Sequence, residues 1–427
     1  MNENGLIVGI NEKPNSIGKW IILSLQHVFA MFGATVLVPL LTGLNVGVAL
    51  VASGIGTLIY ILCTKGKVPV YLGSSFAYIG AIITAATAAG FTSAYVGLMV
   101  VGVVYMIVAG IITLAGSGWL KKLLPPVVIG PMIIIIGLSL APVAVEQSGF
   151  LRSGTSTLFY PHVDPTTLAW AVPLVAVLTF LAVVGISMFA KGFMKIVPFI
   201  IAVAVGYGFS AIFGLVDWSL FENIKFFQIP QFTFLGTYSL NWSAALLFAP
   251  IALVTIAEHI GDHSVLGQIC EKDFITDPGL HRTLLGDGIA TFVAGAIGGP
   301  ANTTYGENTG VVALTRVGSV WVTGLAAVFA IILGFVGPIQ AFIMSIPWAV
   351  IGGMTLVLYG LIAGNGVKVL IKDKTDLGDM KNLIIISVML VIGLGGALLS
   401  LGTLEITGMS LAAIVGITLN QILPNKK

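Results

Sequence analysis

The chain has 427 residues, 57% hydrophobic and 8% charged, with a formal net charge of +2 and a mean hydropathy of +1.06. Soluble domains carry roughly 25% charged residues, so the composition excludes a water-soluble globular fold. It points instead to apolar runs that cross a bilayer as helices. Residues 1–19 are polar and lack the charged, apolar and small-residue pattern of a signal peptide, so the first span itself is expected to direct insertion. Apolar segments then follow near 20–40, 46–63, 68–90, 93–116, 126–145, 167–189, 196–215, 243–269, 283–298, 300–315, 319–341, 347–365, 383–400 and 407–423. This predicts an all-α polytopic membrane protein of fourteen segments.

Charge sets the orientation. With the N-terminus inside, 17 basic residues fall in one set of connections, from Lys13 and Lys19 to Lys426 and Lys427, and only Arg152 and Lys225 fall in the other. One misplaced span would flip every later loop, so the asymmetry supports the segment count and puts both termini on the cytoplasmic side of the cell membrane. The outer connection 216–242 is rich in Phe, Trp and Tyr and reads as an interfacial aromatic belt. Cys63 and Cys270 both fall at inner segment ends and suggest no disulfide framework.

The chain repeats itself weakly. "PPVVIGPM" (125–132) matches "PWAVIGGM" (347–354), "LQH" (25–27) resembles "AEH" (257–259), and "GSSF" (73–76) resembles "NTTY" (302–305). The offsets are 222, 232 and 229. They divide the chain near residue 235 into 1–235 and 236–427, with seven segments in each half. An odd number inverts the second half relative to the first, as in secondary transporters that bind substrate at discontinuous helices near the midplane.

Segments three and ten are predicted to be discontinuous. "VPVYLGSS" (68–75) and "GGPANTTY" (298–305) read as extended, and each precedes a short helix. The helix before Arg316 has about 11 residues and rises only about 16 Å, half of a hydrocarbon core of about 30 Å. Ser74, Ser75, Thr303 and Thr304 are candidate N-caps. Irregular backbone at this depth is tolerated only inside protein or beside a cavity, where half-helices would present free N–H groups. Glycine-mediated helix packing is the competing reading of these stretches.

Four of the 17 acidic residues lie in apolar segments: Glu258, Asp262, Asp287 and Glu307. Ionisable groups in a span are costly and mark functional sites. Glu258 and Asp262 share a helical face at i, i+4, and Glu307 opens the half-helix of segment ten. In "EHIGDH", His259 and His263 are also four apart. The order is not H-E-x-x-H and no third ligand is evident, so no metal is expected. Packing or proton-relay roles are the favoured readings. His27, with Gln26, occupies the corresponding place in segment one. Asp262, Asp287, His27, His259, His263 and Asn308 form the candidate set for proton coupling or support. The chain has no phosphate-binding loop and no nucleotide fingerprint, which argues against an ATP-driven pump. An ion gradient remains as the energy source. Buried carboxylates can carry protons at neutral pH, and composition does not separate H⁺ from Na⁺. A channel and an intramembrane metalloenzyme are the alternatives from other classes.

Several motifs carry a resemblance: "SLQHVFAMFGATVLVP" (24–39), "YLGSSFAYI" (71–79), "IAEHIGDH" (256–263), "DPGLHR" (277–282) and "NTTYGENTGVVALTRV" (302–317). Together they resemble the nucleobase–ascorbate transporter family, also called nucleobase–cation symporter 2, and within it the bacterial uracil permeases. The resemblance implies short antiparallel strands opening segments three and ten. It implies a core domain (20–116 plus 243–341) that moves against a gate domain (126–215 plus 347–423) in an elevator-like step. A homodimer and proton-coupled uptake of uracil are implied as well, with no further cofactor and no nucleic-acid partner. It also implies that Glu258 and Glu307 bind the polar edge of the base, that Phe76 and Tyr305 line its ring, and that backbone near Ser75 and Gly306 completes the site. One departure stands out. Related uracil permeases often carry His where this chain has Asp262, and purine carriers often carry Asp there. The same purine carriers commonly have Gln at the position of Glu307. Uracil is therefore the expected substrate, with xanthine or another purine as the alternative.

Overall fold

The computed structural model describes residues 6–150, 160, 162–195, 197–234, 238, 242–401 and 404–424. Arg152, Lys426 and Lys427 of the charge comparison lie outside the described residues, as does part of the aromatic connection 216–242. The fold is mostly helical, because a helix satisfies its own backbone where water is absent. In chain order the helices are α1 (Ile17–Thr42), α2 (Val46–Cys63), α3 (Ile79–Ala89), α4 (Phe91–Ala115), α5 (Gly118–Leu123), α6 (Pro126–Ser139), α7 (Ala141–Gln147), α8 (Pro165–Phe189) and α9 (Pro198–Ile212). They continue with α10 (Trp242–Cys270), α11 (Leu280–Ala296), α12 (Gly306–Thr315), α13 (Val320–Gly334), α14 (Gly337–Met344), α15 (Trp348–Lys372), α16 (Met380–Leu394) and α17 (Gly408–Ile422). Two antiparallel strand pairs join them: β1 (Leu72–Ser74) with β2 (Asn302–Thr304), and β3 (Leu398–Leu401) with β4 (Leu404–Thr407). Among the described residues, six stretches are long and apolar enough to cross a membrane: α1, α2, α4, α6 with α7, α8 and α15.

Helices fall where the apolar segments were read, with four differences. The segment expected at 319–341 breaks after Gly334, where Gly337 N–H bonds the Phe226 carbonyl (2.9 Å) and Val336 bridges Phe227. The segment at 126–145 breaks at Leu140, between α6 and α7. The segment at 383–400 leaves the helix after Leu394, at Gly395 and Gly396 (φ +71°), and turns into the β3–β4 hairpin. Left-handed glycine stops a helix, and a short apolar run reads alike as helix or strand.

The fourth difference is at the N-terminus, which is polar on average but not free. Leu6 and Ile10 are buried. Ile7 N–H bonds the Arg316 carbonyl (2.7 Å), and Gly318 and Val320 N–H bond Val8 and Ile10 (3.1 and 2.9 Å). Lys13 Nζ stands 4.0 Å from the Trp321 ring centre. The segment thus caps the end of the α12 half-helix. Leu6 joins an apolar cluster with Val68, Val70, Cys270 and Phe274, near the start of segment three and the end of α10.

Three helix crossings in the bundle use facing glycines, which let backbones approach closely. Gly47 of α2 meets Gly334 of α13, Gly102 of α4 meets Gly288 of α11, and Gly130 of α6 meets Gly366 of α15. A Cβ on Gly102 would stand 2.6 Å from the Gly288 carbonyl oxygen and 2.7 Å from the Phe292 amide nitrogen. Overpacking of this kind costs about 1–3 kcal/mol or more. Gly102→Val is therefore expected to lower the unfolding temperature of the purified protein. Gly110→Ala, on the same helix with no atom within 4 Å of the added carbon, is expected to stay within about 0.5 kcal/mol of wild type. Equal unfolding temperatures for Gly102→Val and wild type would contradict the crossing.

Candidate functional site

The site is organised by the pairing of one strand from each half. Leu72 pairs with Thr304, Gly73 with Thr303 and Ser74 with Asn302. The ladder extends through Ser75 N–H to the Ala301 carbonyl (2.9 Å) and Tyr305 N–H to the Tyr71 carbonyl (3.1 Å). The open edges are closed by side chains. Ser53 Oγ donates to the Leu72 carbonyl (2.6 Å), and Leu72 N–H donates to Thr57 Oγ1 (2.9 Å). Asn302 Nδ2 donates to the carbonyls of Ala52 (3.1 Å) and Ala290 (3.3 Å), and Thr291 Oγ1 donates to the Asn302 carbonyl (3.0 Å). Gly73 is required by close approach, because a Cβ there would lie 2.3 Å from Tyr305 Cε2. The buried Tyr305 hydroxyl donates to the Ser74 carbonyl (2.9 Å) and accepts from Thr35 Oγ1 (3.2 Å).

Each strand leads into a helix start. Ser75 precedes a short 3₁₀ turn, Phe76–Tyr78, which runs on into α3, and Tyr305 precedes α12. Neither Ser75 nor Tyr305 makes a side-chain cap bond. The expectation that Ser74, Thr303 and Thr304 act as N-caps is corrected: all three lie in strands, and their side chains point sideways into the ladder's surroundings. Ser74 Oγ donates to the Thr35 carbonyl (3.1 Å) and Thr304 Oγ1 to Asp262 Oδ2 (3.0 Å). The first N–H groups of α12, at the exposed Gly306 and at Glu307, lie too early in the helix to have a backbone partner within it, and the Glu307 carboxylate accepts from its own N–H.

Three predicted acids gather at this point. Glu258 and Asp262 lie one turn apart on α10, and Glu307 is the second residue of α12. All three are half-buried, and Glu258 and Glu307 are near enough for their charges to interact, as are Asp262 and Glu258. Among the described residues none of them is paired with Lys or Arg. Their mutual repulsion is relieved by binding a proton or an N–H donor. Glu307 borders a narrow cleft of about 20 Å³ that is also lined by Phe29 and Gly33 of α1, Phe199 of α9, and Met354 and Leu358 of α15. Glu258, Asp262 and Phe76 do not border that cleft. Phe76 is half-buried and packs against the apolar clusters around α1 and α15.

The histidines turn away from the acids into the protein. His259 Nδ1 bonds Asp287 Oδ2 of α11 (2.7 Å), and its Nε2 bonds Thr283 Oγ1 (2.9 Å). His263 stacks on His259 with ring centres 3.9 Å apart. Its Nδ1 bonds the His259 carbonyl (2.7 Å), and its Nε2 bonds the Tyr60 hydroxyl of α2. Both imidazoles are thus fully engaged, and among the described residues no group of three His, Cys, Asp or Glu could hold a metal ion. His27 is buried on α1, where Asn308 Nδ2 bonds its carbonyl (3.0 Å) and its Nδ1 (3.1 Å). Asp287 Oδ1, Asn308 Oδ1 and Thr303 Oγ1 are buried without a hydrogen-bond partner. The structure therefore gathers Glu258, Asp262, Glu307, Phe76, Ser75, Tyr305 and Gly306 around the two helix starts. It puts His259, His263 and Asp287 behind α10, and His27 with Asn308 behind α12. Sequence reasoning missed Thr304 as a partner of Asp262, and missed Tyr60, Thr283 and Thr35 altogether. A lone Thr or Tyr in an apolar helix carries no spacing signal.

A model described as the permease family matches residues 18–402. The chain is 48% identical to the uracil permease of Bacillus caldolyticus, covering 99% of this chain and 96% of that one. It is 45% identical to the uracil permease of Bacillus subtilis strain 168 (100% and 97%) and 44% identical to that of Escherichia coli K12 (97% and 93%). Among solved structures, its fold is similar to that of the murine solute carrier 26 family member A9 anion transporter in the inward-facing state, with TM-score 0.70 and 12% identity over 96% of this chain and 69% of that one. It is similar also to the transmembrane domain of the cyanobacterial bicarbonate transporter BicA, with TM-score 0.62 and 15% identity over 95% and 97%.

The strand pair depends on Asn302. Asn302→Ala removes two buried side-chain hydrogen bonds, to the Ala52 and Ala290 carbonyls, and is expected to cost about 1–3 kcal/mol, read as a lower unfolding temperature of the purified protein. Thr309→Ala, which loses only a bond within its own helix, serves as the control. Wild-type stability of Asn302→Ala would contradict the anchoring.

Proposed function

Because the chain belongs to the permease family that includes the bacterial uracil permeases, the nucleobase–ascorbate transporter family, we propose that it imports uracil across the cytoplasmic membrane together with protons. Family membership makes it a multi-pass membrane protein and a nucleobase transporter, not an enzyme. The observation that carries the proposal is the β1–β2 pair, which sets two helix starts beside Glu258 and Glu307. Uracil presents ring N–H groups and carbonyls along its edge. Carboxylates accept the former, and free N–H groups at a helix start can donate to the latter. Glu258 and Glu307 take the ring N–H groups, backbone near Ser75 and Gly306 takes a carbonyl, and Phe76 and Tyr305 line the ring. Glu307 favours a pyrimidine. Asp262 keeps xanthine or another purine as the second reading.

The transport cycle follows from charge. A proton on the Glu258–Asp262 pair lowers the cost of moving the loaded site past apolar walls, and its release inside frees the base. The fourteen segments form two inverted repeats of seven, 1–235 and 236–427. The glycine crossings support this: exchanging each segment with the one seven later turns the α2–α13 crossing into α4–α11, and returns α6–α15 to itself. The core (20–116 plus 243–341) carries the site past the gate (126–215 plus 347–423) in an elevator-type step. The cleft at Glu307 supports that seam, since α1 lines one wall and α9 and α15 the other. Both termini face the cytoplasm, as the basic residues favour, and the working unit is a homodimer.

Two measurements test this reading. Labelled uracil uptake in cells lacking other permeases should fall on adding a protonophore and should be competed by unlabelled uracil more strongly than by xanthine. Uptake that ignores both the protonophore and an imposed pH gradient would end the proton coupling. Glu258→Ala and Glu307→Ala should each weaken uracil binding to purified protein by about 10- to 100-fold, the loss of a hydrogen bond to a charged group. Unchanged affinity in either variant would remove that residue from the site.

A further inference from the structure

Chain ends are poorly ordered unless something ties them down, and residues 6–13 are tied at several points. Arg316 ends α12 in a left-handed conformation (φ +54°). The chain beyond it runs parallel to the N-terminal segment, with Val8 bridging Val317. Besides the backbone bonds that join Ile7, Val8 and Ile10 to residues 316–320, Ser319 Oγ donates to the Glu12 carbonyl (2.5 Å) and Trp321 Nε1 to the Asn11 carbonyl (3.2 Å). Leu6 is fully buried, and it fits because residue 318 is glycine. A Cβ there would lie 2.9 Å from Leu6 Cδ1 and 3.4 Å from Cys270 Sγ.

The neighbours of this segment all belong to one side of the molecule. Leu6 and Ile10 join an apolar cluster with Leu72 of β1, Leu266 and Cys270 of α10, and Val312 of α12. Those three elements carry the candidate site. Leu72 pairs with Thr304 in the ladder, Leu266 lies one turn past Asp262, and Val312 lies farther along the helix that Glu307 opens. Among the described residues, the cluster has no member from α6–α9 or α15–α17. A latch between core and gate would need buried contacts on both.

We propose that residues 6–13 are a strap, with Leu6 as its positioning residue. The strap holds β1, α10 and α12 against one another, so that the two halves of the uracil site stay matched and move as one body. Its backbone pairing fixes where α12 ends, and its two buried side chains fill the space between the elements. The uracil and movement clauses rest on the transport reading above.

Cys270 reports on the strap, because its thiol is buried beneath Leu6. The chain has two cysteines, and Cys63→Ser leaves Cys270 as the one thiol in the full-length protein. Two quantities are measured on this purified protein well below its unfolding temperature: the rate of Cys270 alkylation by N-ethylmaleimide, and the affinity for uracil. Leu6→Asp buries a charge in an apolar cluster and displaces the strap. It should speed alkylation and weaken uracil binding, each by about 10-fold, the change that about 1.4 kcal/mol produces. Ile7→Asp, at an exposed side chain, should change neither. If Leu6→Asp does not fold, Leu6→Ala should move both quantities in the same directions by less. Alkylation at the unchanged rate in the Leu6 variant overturns the strap. Faster alkylation with unchanged uracil affinity overturns its positioning role. Adding uracil to the protein with Leu6 intact should leave the alkylation rate as it was, and a change would overturn movement as one body. Alkylation without uracil needs no substrate. A Cys63→Ser protein that binds no uracil therefore ends the substrate assignment, and alkylation still decides the strap.

Discussion

Between Tyr71 and Phe76, and again between Ala301 and Gly306, the backbone leaves helical geometry inside an apolar body. Every N–H and C=O there must find a partner within the protein, because lipid supplies none. The two stretches solve this by pairing with each other, and Ser53, Thr57, Thr291 and Asn302 close the edges. Most of what matters follows from that pairing. It fixes the ends of α3 and α12 relative to one another, it sets Tyr305 over Gly73, and it brings Thr304 to Asp262. A strand pair built from residues about 230 positions apart in sequence also explains why neither half could form this region alone.

The electrostatic design follows from the same geometry. Two helix starts bring unpaired N–H groups and partial positive charge to one place. Three carboxylates stand nearby with no Lys or Arg partner among the described residues. Such a place suits a neutral, flat molecule with both donors and acceptors, and it suits a proton. The histidines of the same helix are withdrawn from it and committed to Asp287, Thr283 and Tyr60. In our account, one face of α10 handles substrate and proton while the other holds the helix in place.

Much of this was legible in the residues. Gly298, Gly299 and Pro300 ahead of a Thr pair announce a break, and the GSSF–NTTY match makes it a matched pair of breaks. The i, i+4 spacing of Glu258 and Asp262 announces a shared face. Other features were hidden for physical reasons. Ser74 and Thr304 have the chemistry of helix caps, and only the strand register shows that they turn sideways. The two histidines of EHIGDH looked equivalent, because their separation depends on Tyr60, 203 residues away from His263. The β3–β4 hairpin is as apolar as the helices around it, so hydropathy alone could not reveal it. The docked N-terminus escaped because two buried residues, Leu6 and Ile10, are outweighed by polar neighbours in any average.

The central claim is that one base binds between the two helix starts that the strand pair brings together. Determining the structure of the purified protein with uracil bound tests it most directly. The account predicts uracil within hydrogen-bonding distance of both Glu258 and Glu307, its ring against Phe76, and its carbonyl facing backbone N–H groups at Gly306 or just after Ser75. Uracil bound elsewhere, or held by only one half of the chain, would contradict it.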